Sequence, residues 1–254
     1  MGSGTRRLAL SILALAFIPA IAKADSFQLI NNGGFEVGGG SLAGWTVSNQ
    51  PGSNGTVYTQ SGTISPQSGF LVQSPSGPTH AAMTDQSGPG SHILFQDFLV
   101  PADVQIASLR FDRFLGNRAG AFFTPNTLDF NVTPNQQARV DILTTSADPF
   151  SVTGGVLANI FQTHPGDVPV AGYTTVTTDV SALLAAHAGQ TLRLRFAEAD
   201  NQGFFQFGID EVSLNVQTAE AASAVPLPST AIAGLGILGC AGLRGRRWRP
   251  TRPN

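Results

Sequence analysis

Thr191-Leu192-Arg193-Leu194-Arg195-Phe196-Ala197-Glu198 is the stretch that decides the fold. Its apolar side chains fall at alternate positions with arginines between them. In an extended chain, successive side chains point to opposite faces, so Leu192, Leu194 and Phe196 share one face. A helix would throw Leu194 to the side opposite Leu192 and Phe196. Leu109, Phe111 and Leu115 are likewise spaced by two around Arg110 and Arg113, with Phe114 out of phase. Working outward, β-rich runs recur at residues 45–47, 55–59, 70–72, 92–100, 107–115, 138–143, 156–163, 174–179, 191–198 and 204–214. Clusters of Gly, Pro, Asn and Ser separate them. Only residues 181–188, after Asp179-Val180, read as helical. Ten short strands with almost no helix predict an all-β protein, an antiparallel β-sandwich of the jelly-roll kind, over residues 25–218. The sequence contains no internal repeat.

Composition narrows the function. The chain has 254 residues, of which 42% are apolar, enough for a packed core. Only 12% are charged, about half of the roughly 25% usual in globular proteins. The net charge of −2 hides a segregation: all 16 acids lie between Asp25 and Glu220, where they meet only six arginines, a net of −10. Such a surface repels phosphate backbones, which excludes nucleic acid as a partner of the body. The single cysteine, Cys240, lies outside the predicted sandwich. The body therefore has no disulfide, no thiol nucleophile and no Cys-ligated zinc, and relies on its core and hydrogen bonds.

The two ends read as addresses. Residues 1–24 run from Arg6-Arg7 through an apolar stretch to Ala22-Lys23-Ala24, the layout of a secretory signal peptide cut after Ala24. Export then begins at the Sec translocon. At the other end, a small-residue linker (219–224) leads to Val225-Pro226-Leu227-Pro228-Ser229-Thr230, an apolar helix over 231–243 and a tail rich in arginine: Arg244, Arg246, Arg247 and Arg249. Thirteen helical residues at ~1.5 Å each span about 20 Å, short of a ~30 Å hydrocarbon core. Pro226 and Pro228 prevent a longer helix, and the arginines hold the end in the cytoplasm. Transient insertion in the inner membrane follows, with an uncleaved single-pass transmembrane anchor as the alternative. Gly234-x-Gly236-x-x-Gly239 matches a dinucleotide fingerprint by spacing alone, without the preceding strand or following carboxylate.

Residues 225–254 resemble the PEP-CTERM sorting signal of Gram-negative bacteria, departing from it at Leu227, where that signal commonly has Glu. The resemblance implies an exosortase as processing partner, a destination at the cell surface or in the extracellular matrix, and an association with exopolysaccharide. A second resemblance concerns the fold. Asn32-Gly33-Gly34-Phe35-Glu36 with Gly44-Trp45, then Asp179-Val180-Ser181-Ala182 with residues 188–196, and finally residues 207–214, are similar to the opening, penultimate and closing sections of galactose-binding-like jelly rolls, among them many carbohydrate-binding modules. The resemblance implies adjacent first and last strands and a structural Ca²⁺ where they meet, with Glu36 and Asp210 as its carboxylates. Ca²⁺ takes about six to eight oxygens, which loop carbonyls near Gly33, Gly34 or Gly38 would complete.

Catalytic signatures are absent: no G-x-S-x-G elbow, H-E-x-x-H, P-loop or EF-hand loop occurs. His80, His92, His164 and His187 have no metal-like spacing and read as surface or turn residues. Glycoside hydrolysis needs two acids facing each other across a cleft. Glu198 and Asp200 fall at a hairpin turn over 199–203, and Asp97 and Asp112 within strands, where outward acids are expected. A sugar platform needs exposed rings beside hydrogen-bonding groups. Trp45 reads as core, whereas Phe122-Phe123 in a Gly/Pro-rich loop, with Asn117 and Arg118 nearby, is the candidate ligand site. The expected function is that of an exported, non-catalytic surface or matrix protein with an exopolysaccharide-binding jelly roll. The alternatives are an extracytoplasmic glycan-active enzyme and a purely structural biofilm component.

Overall fold

A computed structural model describes residues 25–219. The leader with Ala22 and Ala24, and the sorting segment with Val225, Pro226, Leu227, Pro228, Arg244, Arg246 and Arg247, lie outside the described residues. In chain order the elements are β1 (Ser26–Gln28), β2 (Thr46–Asn49), β3 (Thr56–Ser61), β4 (His80–Asp85), β5 (Gly90–Leu99), β6 (Val104–Asn117), β7 (Gln136–Thr144), β8 (Val156–Gln162), β9 (Val170–Asp179), α1 (Ser181–Ala186), β10 (Thr191–Asp200) and β11 (Phe205–Thr218). One sheet runs β3-β4-β11-β6-β9, with β1 also on β11, and the other runs β2-β5-β10-β7-β8. All pairings are antiparallel. The protein is an antiparallel β-sandwich.

The period-two reading places the core. Leu192, Leu194 and Phe196 are buried together with Leu109, Phe111, Phe207 and Ile209 of the other sheet. Each such side chain contributes roughly 1.5–3 kcal/mol by leaving water. Phe111 meets Phe196 edge-on at 5.3 Å, and Trp45 lies 5.9 Å from Phe196 and 5.6 Å from Phe35. Its indole N–H donates to the Asn32 carbonyl at 3.1 Å, so the ring is core with its polar atom satisfied. β1 pairs with the end of β11, bringing first and last strands side by side. Gly33 makes this closure possible: a Cβ there would sit 1.8 Å from the Val212 carbonyl oxygen, while the Val212 N–H donates to the Gly33 carbonyl at 3.0 Å.

Four local expectations are corrected. β4, His-Ala-Ala-Met-Thr-Asp, is missing from the sequence reading because five of its six residues are buried and no polar face remains to produce alternation. Residues 70–72 form only an isolated Ile64–Leu71 bridge rather than a strand. β10 continues through Asp200, so Glu198 and Asp200 lie within a strand and not at its turn. Arg195 points away from the core as the alternation requires, yet it is fully buried. The segment after β7 folds over it, and its guanidinium donates to the Pro149 and Ser151 carbonyls at 2.6 and 2.7 Å and pairs with Asp141.

Candidate functional site

Asp85 ends β4, on the sheet face turned away from the core, and is fully buried under the β3–β4 connection. Its Oδ2 accepts the N–H groups of Gln67 (2.6 Å) and Ser68 (2.8 Å). Its Oδ1 accepts the Ser68 hydroxyl (2.5 Å), the Gln86 N–H (3.0 Å) and Gln206 Nε2 (3.2 Å). Burial works to raise this carboxyl, but the donors together hold it below its ordinary value. One strand-end acid thus pins a whole loop to the sheet.

Between the sheets at the same end lies a second group of titratable residues. Glu198 on β10 stands opposite His92 on β5 in the strand register, and Asp200 stands opposite Gly90. All three side chains point the way Leu194 and Phe196 do, and all are buried. Among the described residues, His92, Glu198 and Asp200 are the one group of three potential ligands whose donor atoms lie within 4.8 Å of one another. Neither oxygen of Glu198 has a hydrogen bond of good geometry, although the Thr84 hydroxyl lies close by. Burial pushes its carboxyl well above the usual range, the charges of Asp200 and Asp85 add to the effect, and only the Thr84 hydroxyl opposes it. Burial also pushes Asp200 up to about 7, against donors from Gln86 and Gly90. His92 is lowered to about 4 by burial, against the Asn54 carbonyl. At neutral pH the imidazole is uncharged.

Asp200 links this group to the surface. A cleft of about 220 Å³ is lined by Ser87, Pro89, Asp200, Asn201, Gly203 and Phe204. Phe204 meets Phe70 edge-on at 5.1 Å, and the Arg118 guanidinium lies 4.9 Å above the Phe70 ring. The Arg118 N–H donates to the Phe204 carbonyl at 2.8 Å, tying the two segments together. An aromatic ring, a carboxylate and backbone polar groups therefore converge where β10 turns into β11.

The four residues expected to bind a ligand do not form one surface. Phe122 is 1% exposed and packs edge-on against Phe205 at 5.5 Å. Asn117 is equally buried: its Nδ2 donates to the Ala121 carbonyl (2.7 Å) and its Oδ1 accepts from Ala119 N–H and Gln136 Nε2 (both 2.9 Å). Both are corrections. In the tandem Phe pair one ring plugs the end of the sandwich, and the amide holds the turn that puts it there. Phe123 is the exposed member at 36%, and Arg118 is exposed beside Phe70.

Glu36 and Asp210 fare differently from the calcium expectation. Glu36 Oε1 accepts the N–H groups of Thr79 and His80 (both 2.7 Å), and Oε2 accepts the Thr79 hydroxyl (2.5 Å) and faces His80 Nδ1 (2.8 Å). A carboxylate has about four lone-pair sites, and here all are engaged. The His80 and Thr79 side-chain bonds lead the effects that lower Glu36 to about 2. Asp210 Oδ2 accepts from Ser76 Oγ (3.1 Å) and Gly77 N–H (2.7 Å), and Oδ1 from Glu211 N–H (2.8 Å). The Glu36 donor set therefore does not fit a calcium shell. The two acids instead grip successive parts of residues 76–80.

Sequence reasoning missed the His92–Glu198–Asp200 group. The available signal was phase: Glu198 and Asp200 continue the register of Leu192, Leu194 and Phe196, which marks them as inward-facing.

No protein-family model and no curated protein sequence matches the chain. Solved structures that resemble it include a carbohydrate-binding module, TmCBM61, in complex with β-1,4-galactotriose (13% identity, 74% of this chain and 97% of that one, TM-score 0.42). Others are a structure described as CBM4 (16% identity, 74% and 99%, TM-score 0.41) and a Stig cyclase, Fisc, from Fischerella sp. TAU (16% identity, 77% and 100%, TM-score 0.45).

Proposed function

We propose that residues 25–219 are the glycan-binding body of an exported, non-catalytic surface or matrix protein, delivered by the Sec translocon and trimmed by an exosortase. The observation that carries this reading is the cleft at the β10–β11 turn, where the Phe204 ring and the Asp200 carboxylate border a space of about 220 Å³. That is below the roughly 300–1,000 Å³ of drug-sized sites, and it suits one sugar ring or a chain end. A ring face stacks on sugar C–H groups while the carboxylate accepts hydroxyl hydrogens. The acidic, cysteine-free body and the two terminal addresses support a life outside the cytoplasm.

The test is binding of the purified protein to arrayed oligosaccharides and to the exopolysaccharide of the producing cells. Retention without turnover, weakened in Phe204→Ala, supports the proposal; no retention of any glycan defeats it. Mass measurement of the mature chain tests trimming at both ends. A glycan-active enzyme is the second reading, favoured by one observation: Asp200, at the cleft wall, is raised to about 7. Release of reducing ends, abolished in Asp200→Asn, would establish it. Glu198 is closed off behind the cleft and could not itself reach a polysaccharide.

A further inference from the structure

We propose that His92, Glu198 and Asp200 form a buried site for one divalent transition-metal ion, with Zn²⁺ as the best-matched species, that clamps β5 to β10 at the base of the sandwich. The site shares Asp200 with the cleft, but its test reads metal binding and not glycan retention, so the two proposals fail separately. The convergence is geometric: one donor atom from each residue falls within 4.8 Å of the others, on neighbouring strands held by a full antiparallel ladder. Zinc bonds to imidazole nitrogen and carboxylate oxygen are about 2.0–2.2 Å, so a small side-chain closure completes three sides of a shell.

An independent observation points to a missing ligand. Both Glu198 oxygens are fully buried and neither has a hydrogen bond of good geometry, the Thr84 hydroxyl being the one donor close enough to act on the carboxyl. Buried polar atoms are almost always partnered, and a side chain with two orphaned acceptors needs explanation. The neighbouring Asp85, just as deeply buried, collects five donors, so this end of the molecule does not lack hydrogen-bonding groups. They are simply not directed at Glu198. A divalent cation between two carboxylates and a neutral imidazole makes the group electrically neutral and satisfies both acids.

The donor chemistry selects the metal class. One imidazole with two carboxylates suits Zn²⁺ and similar borderline ions, whereas Ca²⁺ and Mg²⁺ prefer all-oxygen shells with more ligands. Asp200 also lines the surface cleft, which gives the ion an entry path. The surroundings hold the ligands in place: Gln86 Nε2 (2.8 Å) and Gly90 N–H (3.0 Å) orient Asp200, and Asn49 Oδ1, 2.9 Å from His92 Nδ1, selects the tautomer with its proton on Nδ1, so that Nε2 exchanges its contact with the Asn54 carbonyl (3.1 Å) for the metal. In a body without disulfides, such a clamp takes over the cross-linking role.

The experiment uses the full-length protein, stripped with a chelator and titrated with zinc chloride. Expected are one zinc ion bound per chain, a rise in melting temperature at saturation, and no such rise with calcium or magnesium chloride. Glu198→Gln, which keeps the shape of the side chain, should weaken zinc binding by about a hundredfold and abolish the thermal shift. Zinc binding that persists unchanged in Glu198→Gln would place the ion elsewhere, for instance on the exposed His164, and overturn the proposal. So would the absence of stoichiometric binding. Should that variant fail to fold, cobalt(II) titration of the unaltered protein decides: a visible absorption band of a low-coordinate nitrogen/oxygen site is expected, and only the weak spectrum of hydrated cobalt would refute it.

Discussion

Asp85 and Glu198 are acids of equal burial and opposite condition. Both are fully excluded from solvent near the same end of the sandwich. Asp85 sits on the outer face of its sheet, where the β3–β4 connection wraps over it and turns three donors inward, Gln86 and Gln206 add two more, and its carboxyl is held low. Glu198 faces the other sheet, among side chains with little to donate, and its carboxyl is forced high. Burial sets the cost of a charge; the local backbone decides whether that cost is met. A loop brings its own N–H groups to an acid, whereas a strand facing the core has already spent its N–H groups in the ladder.

The contrast breaks first at Asp85. Asp85→Asn turns one acceptor oxygen into a donor facing the Gln67, Ser68 and Gln206 donors. We expect a loss of about 3 kcal/mol, read as a lower urea midpoint, because buried donors are left unmatched. A near-wild-type midpoint would mean that the loop is held by its apolar contacts. The mirror experiment sharpens the comparison. Glu198→Leu removes two buried oxygens that lack well-formed hydrogen bonds, so the metal-free protein should gain about 1–2 kcal/mol. Loss of stability there would reveal hidden partners of Glu198.

Smaller effects come from the surface. Phe204→Ala should weaken glycan retention about fivefold, equivalent to about 1 kcal/mol of stacking, without shifting the melt appreciably. Glu36 supplies a pH signature. Its folded carboxyl is lowered to about 2, so its contribution is present above the unfolded value near 4.5 and is lost as pH falls from there through about 2. Glu36→Gln should flatten the acid limb of stability against pH in that window. An unchanged slope would assign the acid sensitivity to Asp85 instead.

How much was legible follows from where each signal resides. Alternation around Arg193 exposed β10, and the Asn32-Gly33-Gly34-Phe35-Glu36 opening pointed to the closure of first strand on last. β4 escaped because a strand buried on both faces has no period. Of Phe122 and Phe123, which ring turns inward depends on Asn117 holding the turn, a contact that no spacing predicts. Glu36 and Asp210 both hold the segment 76–80 through hydrogen bonds. Their donors, Ser76, Gly77 and Thr79 with His80 at the start of β4, come from the end of a long connection whose path is not written in its own residues.

By itself the sequence determined that the body is a two-sheet β-structure, acidic, without cysteine and with a packed core, because side-chain alternation and composition are local properties of an extended chain. Only the tertiary structure decided that His92 meets Glu198 and that Asp85 is provided for while Glu198 is not. Those outcomes rest on the register between strands distant in the chain and on the path of a covering loop. A shift of one residue would reverse which face each side chain occupies.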